Sequence, residues 1–322
     1  MKQLCRDILI AVFMGMVLPG IVLNVAVLFL DTQTPEPEQK PAVEKSDSWP
    51  VTVRTGESVT EMDMDRYITR VVLGEMPASF EPEALKAQSV AARTYAEKAS
   101  VTGGKHGDGS VCTDSGCCQG YLTEEAYLEK GGTQESVDKV ARAVGETSGF
   151  VLTYEGELIE ATYFSCSGGS TEAAVAVWGT EYPYLQSVSS PEVEQAVQYN
   201  QQLIFTPEEF ASALGRTLTG SPESWFTITT YTEGGGVAYM SIGGERYTGT
   251  ELRSLLGLRS TAFTVEASAS QIAITTKGYG HRVGLSQYGA DAMAEAGSTW
   301  EEILAHYYPG TSLIQLGTSF EK

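Results

Sequence analysis

Apolar residues recur at three- and four-residue spacing through Met64, Ile68, Val71 and Val72, which predicts a helix whose buried stripe runs on to Glu75. Pro77 disfavours helical geometry at Met76, so this helix stops near Glu75. There the negative end of the helix dipole and the apolar neighbours both oppose ionisation of a carboxyl group. Such a group keeps its proton to higher pH and can donate it. The plainer alternative is a frayed helix end, with Glu75 solvated or paired with Arg70 or Lys86. A second helix starts at Pro82, a favourable first-turn residue, with Leu85, Gln88, Ala92 and Tyr95 on one face and Lys86, Arg93 and Lys98 elsewhere.

Alternation in VTVRTG predicts a strand just ahead of the first helix. Between residues 195 and 269 the pattern changes to a helix candidate, PEEFASALG, and the alternating segments FTITTYTE and VAYMSIGG among many glycines. This stretch reads as a smaller α/β subdomain inserted into a main domain of residues 51–194 and 270–322. The expected class is α+β, a mixed helix and strand domain forming a groove. Toward the carboxyl end one helix begins near Ser286, and a last one, Trp300 to Tyr308, reads as packing, His306 included.

Before the fold, Ile8 to Leu30 carries no charge and is interrupted only by Asn24 and Pro19–Gly20, a length that predicts a transmembrane anchor within residues 1–30. Lys2 and Arg6 precede it, so the rest of the chain is expected outside the cytoplasm. A cleaved secretion signal is the rival reading. Residues 31–50, rich in proline and glutamate, read as an extended linker. With 322 residues and 42% hydrophobic content the chain can build a sizeable core. Its formal charge of −20 argues against binding nucleic acid or an anionic lipid surface by bulk electrostatics.

Three further clusters carry candidate chemistry. In KHGDGSVCTDSGCCQGY, His106, Cys112, Cys117 and Cys118 have the composition of a zinc site, while outside the cytoplasm a disulfide from Cys112 to Cys117 or Cys118 competes. From Ala161 to Glu192, hydroxyls at Ser165 and Ser167 stand with Gly168–Gly169 and the aromatics Tyr163, Trp178, Tyr182 and Tyr184. That mixture suits a glycan site, and equally a glycine-rich turn over core aromatics; Cys166 is either a further thiol or a small buried side chain. In KGYGHRVGLSQYGADAM, glycines approach a helix whose polar front bears Gln287 and Tyr288, close to His281.

The string GEMPASFEPEALKAQSVAARTYA closely resembles the signature of the stage II sporulation protein D (SpoIID) family of peptidoglycan-acting enzymes and amidase enhancers. SCSGGSTE and GYGHRVGLSQYGA resemble two further motifs of that family, in the same order. The resemblance implies that Glu75 is the catalytic acid and that a His-x5-Cys-x5-Cys zinc site falls on His106, Cys112 and Cys118, leaving Cys117 spare. Gln88, Arg93, Tyr95, Tyr163, Ser165, Ser167, His281, Ser286, Gln287 and Tyr288 are then substrate-side candidates. The implied activity is a membrane-anchored lytic transglycosylase at the sporulation septum. It cuts denuded peptidoglycan between N-acetylmuramic acid and N-acetylglucosamine during engulfment, beside a partner amidase and membrane sporulation partners. One carboxyl group serves as acid and then base, because beyond Glu75 only Glu172 falls in a motif. A non-catalytic glycan-binding enhancer of an amidase is the main alternative, and a zinc hydrolase using a water on the metal is the third.

Overall fold

The computed structural model describes residues 49–191 and 199–316. Helices and strands are mixed, with several small sheets, as expected for an α+β fold. Strand Pro50–Thr55 pairs antiparallel with Ser58–Asp63 and parallel with Val111–Cys112, so Cys112 sits on the edge of the first sheet. Trp49 already belongs to the folded part, its indole Nε1 donating to Glu97 Oε2 at 2.7 Å. The rest of the expected linker, and the anchor segment Ile8–Leu30, lie outside the described residues. Among the described residues no helix is long and apolar enough to cross a membrane. The expectation of a single-pass membrane protein is corrected accordingly: the longest helix, Pro82–Thr102, owes its burial to packing inside the protein.

The first helix spans Met64–Glu75, capped by the Asp63 carboxylate on the Arg66 N–H. Met64, Ile68, Val71 and Val72 are all buried in it. It stops where Met76 turns extended (φ −129°, ψ 139°) ahead of Pro77. The long helix is buried on nearly every side. Leu85, Ala92 and Ala96 face one hydrophobic cluster, and Ala84, Ala87, Val90 and Ala91 face another. Its run of small side chains lets neighbours approach from both directions, and hydrophobic burial all round marks a central helix.

Arg93 of this helix is fully buried, where the family resemblance implies a substrate-side group. Its guanidinium meets Asp65 Oδ1 at 3.0 Å and donates to the carbonyls of Val144, Thr147 and Phe150. Asp65 in turn accepts from the Ser148 hydroxyl at 2.5 Å. These contacts join both helices to the end of helix Gln134–Glu146 and the start of strand Phe150–Tyr154.

A third cluster, around Phe210, Trp225, Leu252 and Ile274, belongs to residues from about 200 to 277. Strand Ile272–Lys277 lies in it, paired antiparallel with both Asn200–Phe205 and Phe263–Ala267, although sequence pattern had assigned residues from 270 onward to the main domain. The two-sided pairing of that strand is not visible in its own alternation. Arg282 links this region to its surroundings: it meets Glu172 Oε1 at 3.0 Å and donates to the carbonyls of Ser167, Ser170 and Gly234.

Removing one partner of a buried ion pair strands the other. Arg93→Leu is expected to cost about 3–5 kcal/mol of stability in urea unfolding, and the double change Asp65→Leu/Arg93→Leu to cost less than Arg93→Leu alone.

Candidate functional site

Glu75 stands at the end of the first helix, on the wall of a pocket of about 900 Å³. The loop after the cysteine pair approaches the end of this helix at glycines on both sides. A Cβ on Gly120 would stand 2.8 Å from Glu75 Oε1, and one on Gly74 would stand 2.7 Å from the Tyr121 nitrogen. That closeness lets the Gly120 N–H donate to Glu75 Oε1. Burial raises the pKa of Glu75 above its ordinary 4.5, opposed by the Gly120 N–H and then by the Gln287 side chain. Neither cation suggested by the sequence pairs with it: Arg70 holds Glu124 at 2.7 Å and Lys86 holds Glu83 and Glu146.

Six of the ten substrate-side candidates line this pocket: Tyr95, Tyr163, Ser165, His281, Gln287 and Tyr288. They meet because strand Tyr163–Phe164 pairs parallel with Leu285–Ser286, which sets the third motif beside the fourth. Ser286 itself is buried as the cap of helix Gln287–Glu295, its hydroxyl accepting from the Gly289 N–H. Tyr163 donates to Gln119 Oε1 at 2.7 Å, and Gln119 Nε2 donates to the Tyr67 hydroxyl. Burial first, and then the nearby Glu75 charge, push the Tyr163 phenol well above its ordinary range. The buried Nε2 of Gln287 makes no well-formed hydrogen bond among the described residues.

His281 is neutral here. Burial and then the Arg253 charge push it down to about 4, and its Nδ1 accepts the Val283 N–H at 3.1 Å. Its ring packs between Phe164 and Trp178, with centroids 5.6 and 5.3 Å away. The other four candidates lie off the pocket wall. Arg93 is the buried tie described above, Gln88 is fully buried with neither side-chain polar atom bonded, Ser167 accepts from the Gly169 N–H, and Ser286 caps its helix. Sequence reasoning missed Gln119, Gly120, Glu160 and Tyr279. Gly120 and Gln119 carried one available signal, their position directly after the cysteine pair.

A second carboxyl group, Glu160, also lines the pocket, held by Lys98 at 2.8 Å. Glu172, the other acid singled out in a motif, is fully buried against Arg282 and borders a separate cavity of about 300 Å³. Cys166 is buried where its backbone bridges to Tyr279, apart from the other cysteines.

His106, Cys112, Cys117 and Cys118 converge at the edge of the same pocket, with all four donor atoms within 4.8 Å of one another. Cys112, Cys117 and Cys118 form no disulfide. The Asp114 carbonyl accepts the N–H groups of both Cys117 and Cys118, at 3.0 and 2.9 Å, so one tight turn presents both thiols. Three thiols and an imidazole at this spacing suit a borderline-soft ion with tetrahedral preference, and zinc fits the donor set.

Residues 54–154 match the SpoIID family profile, described as stage II sporulation protein. The chain is 38% identical to stage II sporulation protein D of Bacillus amyloliquefaciens over 91% of its length and 85% of the relative's. It is likewise 38% identical to stage II sporulation protein D of Bacillus subtilis (strain 168), over 85% of this chain and 81% of that protein. It is 33% identical to a Bacillus subtilis amidase enhancer, over 76% of this chain and 39% of that longer protein. With the Glu75 helix and its cysteine loop falling inside the matched profile, and most of the length aligned, the chain belongs to the stage II sporulation protein D family.

Proposed function

We propose that this chain is a peptidoglycan lytic transglycosylase acting in sporulation on glycan strands stripped of stem peptides. It would cleave between N-acetylmuramic acid and N-acetylglucosamine. The observation that carries the reading is Glu75, half-buried on a pocket wall, raised in pKa and paired with no cation among the described residues. Protonated, it gives its proton to the glycosidic oxygen as the bond from that oxygen to C1 breaks. The C6 hydroxyl of the same muramic acid then attacks C1, and the Glu75 carboxylate takes that hydroxyl's proton. A 1,6-anhydro sugar leaves, no water is consumed and the acid is regenerated.

Hydrolytic glycosidases ordinarily set two carboxyl groups across the scissile bond. Here Glu160 is engaged by Lys98 and Glu172 lies in another cavity, which favours a mechanism needing one. The hydroxyls of Ser165 and Tyr288 on the pocket wall are donors for sugar oxygens, and Trp178 and Tyr279 offer exposed aromatic faces. A chain of formal charge −20 is repelled by acidic stem peptides, which supports denuded strands as substrate and an amidase acting beforehand. Zinc would be held by His106, Cys112 and Cys118, where when bound it supplies a rigid cross-link between the loop's ends.

A second reading, a glycan-binding enhancer of a cell-wall amidase, is favoured by the similarity to the amidase enhancer. Product analysis separates the two. Denuded glycan incubated with the protein is expected to yield anhydromuramyl ends by mass spectrometry, and Glu75→Gln to lower their rate by about 10²–10⁴-fold with the fold intact. No anhydro product from the folded wild type would leave the enhancer reading standing.

Stability should report the same carboxyl group. Because the fold favours its neutral form, Glu75 contributes stability that is fully present below its ordinary 4.5 and is lost as pH rises through the raised folded value. Wild-type Tm is therefore expected to fall relative to Glu75→Gln on going from acid to neutral pH. Parallel Tm curves for the two proteins would mean that Glu75 ionises as freely folded as unfolded.

A further inference from the structure

Tetrahedral zinc with sulfur ligands at about 2.3 Å and nitrogen at about 2.0–2.1 Å requires donor-to-donor edges of about 3.8 Å between sulfurs and about 3.5 Å between sulfur and nitrogen. His106 Nε2 lies 3.5 Å from Cys118 Sγ and 3.8 Å from Cys117 Sγ, and the two sulfurs are 4.0 Å apart. Cys117 thus stands at the same kind of distance as Cys118, although the family motif leaves it out. Cys112 closes the set from the sheet edge, within 4.8 Å of the other three donor atoms.

We infer that Cys117 is a fourth ligand, making His106, Cys112, Cys117 and Cys118 a closed centre with no position left for water or substrate. The inference rests on the metal reading above and changes what the metal is for. A catalytic zinc ordinarily keeps an open position, whereas four protein ligands mark a structural one. The structural task is visible next door. Gln119 and Gly120 follow Cys118 directly; the first accepts from Tyr163 and the second donates to Glu75. Anchoring both cysteines of the turn fixes the starting point of that two-residue arm, so Cys117 is a positioning residue for the Glu75 carboxyl group.

Thiol protection in the full-length wild type tests the assignment without any substitution. The zinc-loaded protein is treated with iodoacetamide under reducing conditions, digested and mapped by mass spectrometry, with the chelated protein as reference. The expected result is that Cys112, Cys117 and Cys118 are all protected by zinc and all become modified after chelation. Modification of Cys117 at equal rates with and without zinc, while Cys112 and Cys118 stay protected, would overturn the fourth ligand and leave the metal reading intact. If zinc protects none of the three, both fall, while the Glu75 product assay stands on its own.

Cobalt(II) substitution supplies the second readout. Cys117→Ser is expected to lower the thiolate-to-cobalt charge-transfer absorption by about a third, from three sulfur ligands to two, and Cys117→His to keep the intense visible bands of a four-coordinate protein site. A spectrum unchanged by Cys117→Ser would exclude it as a ligand. Should that variant fail to fold, the alkylation map of the wild type decides.

Discussion

The buried guanidinium of Arg93 is the constraint on which the placement of the site depends. A charge without access to water is tolerable only when its donors meet acceptors, and these acceptors come from separate parts of the chain. Asp65 lies in the first turn of the Glu75 helix, and Val144 and Thr147 at the end of a later one. Meeting them sets the angle and register of the first helix against the long one. Glu75, at the far end of that first helix, inherits its position from this arrangement.

A second buried arginine organises the other side. Arg282 gathers the carbonyls of Ser167, Ser170 and Gly234 and the Glu172 carboxylate, so the serine-glycine motif, the third core cluster and the carboxyl-terminal motif converge on one side chain. His281, its immediate neighbour, is thereby held among Phe164 and Trp178 as a neutral ring. Both arginines belong to strings that carry the family resemblance, and both act through the architecture and make no contact with the pocket.

The pocket joins two kinds of chemistry. On one wall burial raises the pKa of an acid while a backbone N–H opposes that shift; beside it a cluster of one imidazole and three thiols stands on the loop that provides that N–H. Electrostatic tuning of this sort requires a short, defined separation between loop and helix, which the absence of a side chain at Gly74 and Gly120 permits.

Local pattern was enough to read much of the fold. The first helix, its stop before Pro77, the start at Pro82, the strand in VTVRTG and the helix capped by Ser286 all follow from periodicity, proline geometry and capping, which act within a few residues. The long helix was harder to read, because alanine, serine and threonine look neutral in a pattern while packing tightly from two sides. Arg93 and Gln88 were misplaced for the same reason: a polar residue on a helix buried all round shows nothing in sequence of what it meets. By itself, then, the sequence determined which side chains are the candidates, Glu75 at the end of an apolar stripe and the His-Cys loop, because residue type, helix period and motif resemblance all lie along the chain. Only the tertiary structure decided that Gly120, Gln287 and Tyr163 surround the acid, that Glu172 does not, and that Cys117 joins the other cysteines, since those outcomes depend on contacts between segments far apart in the chain.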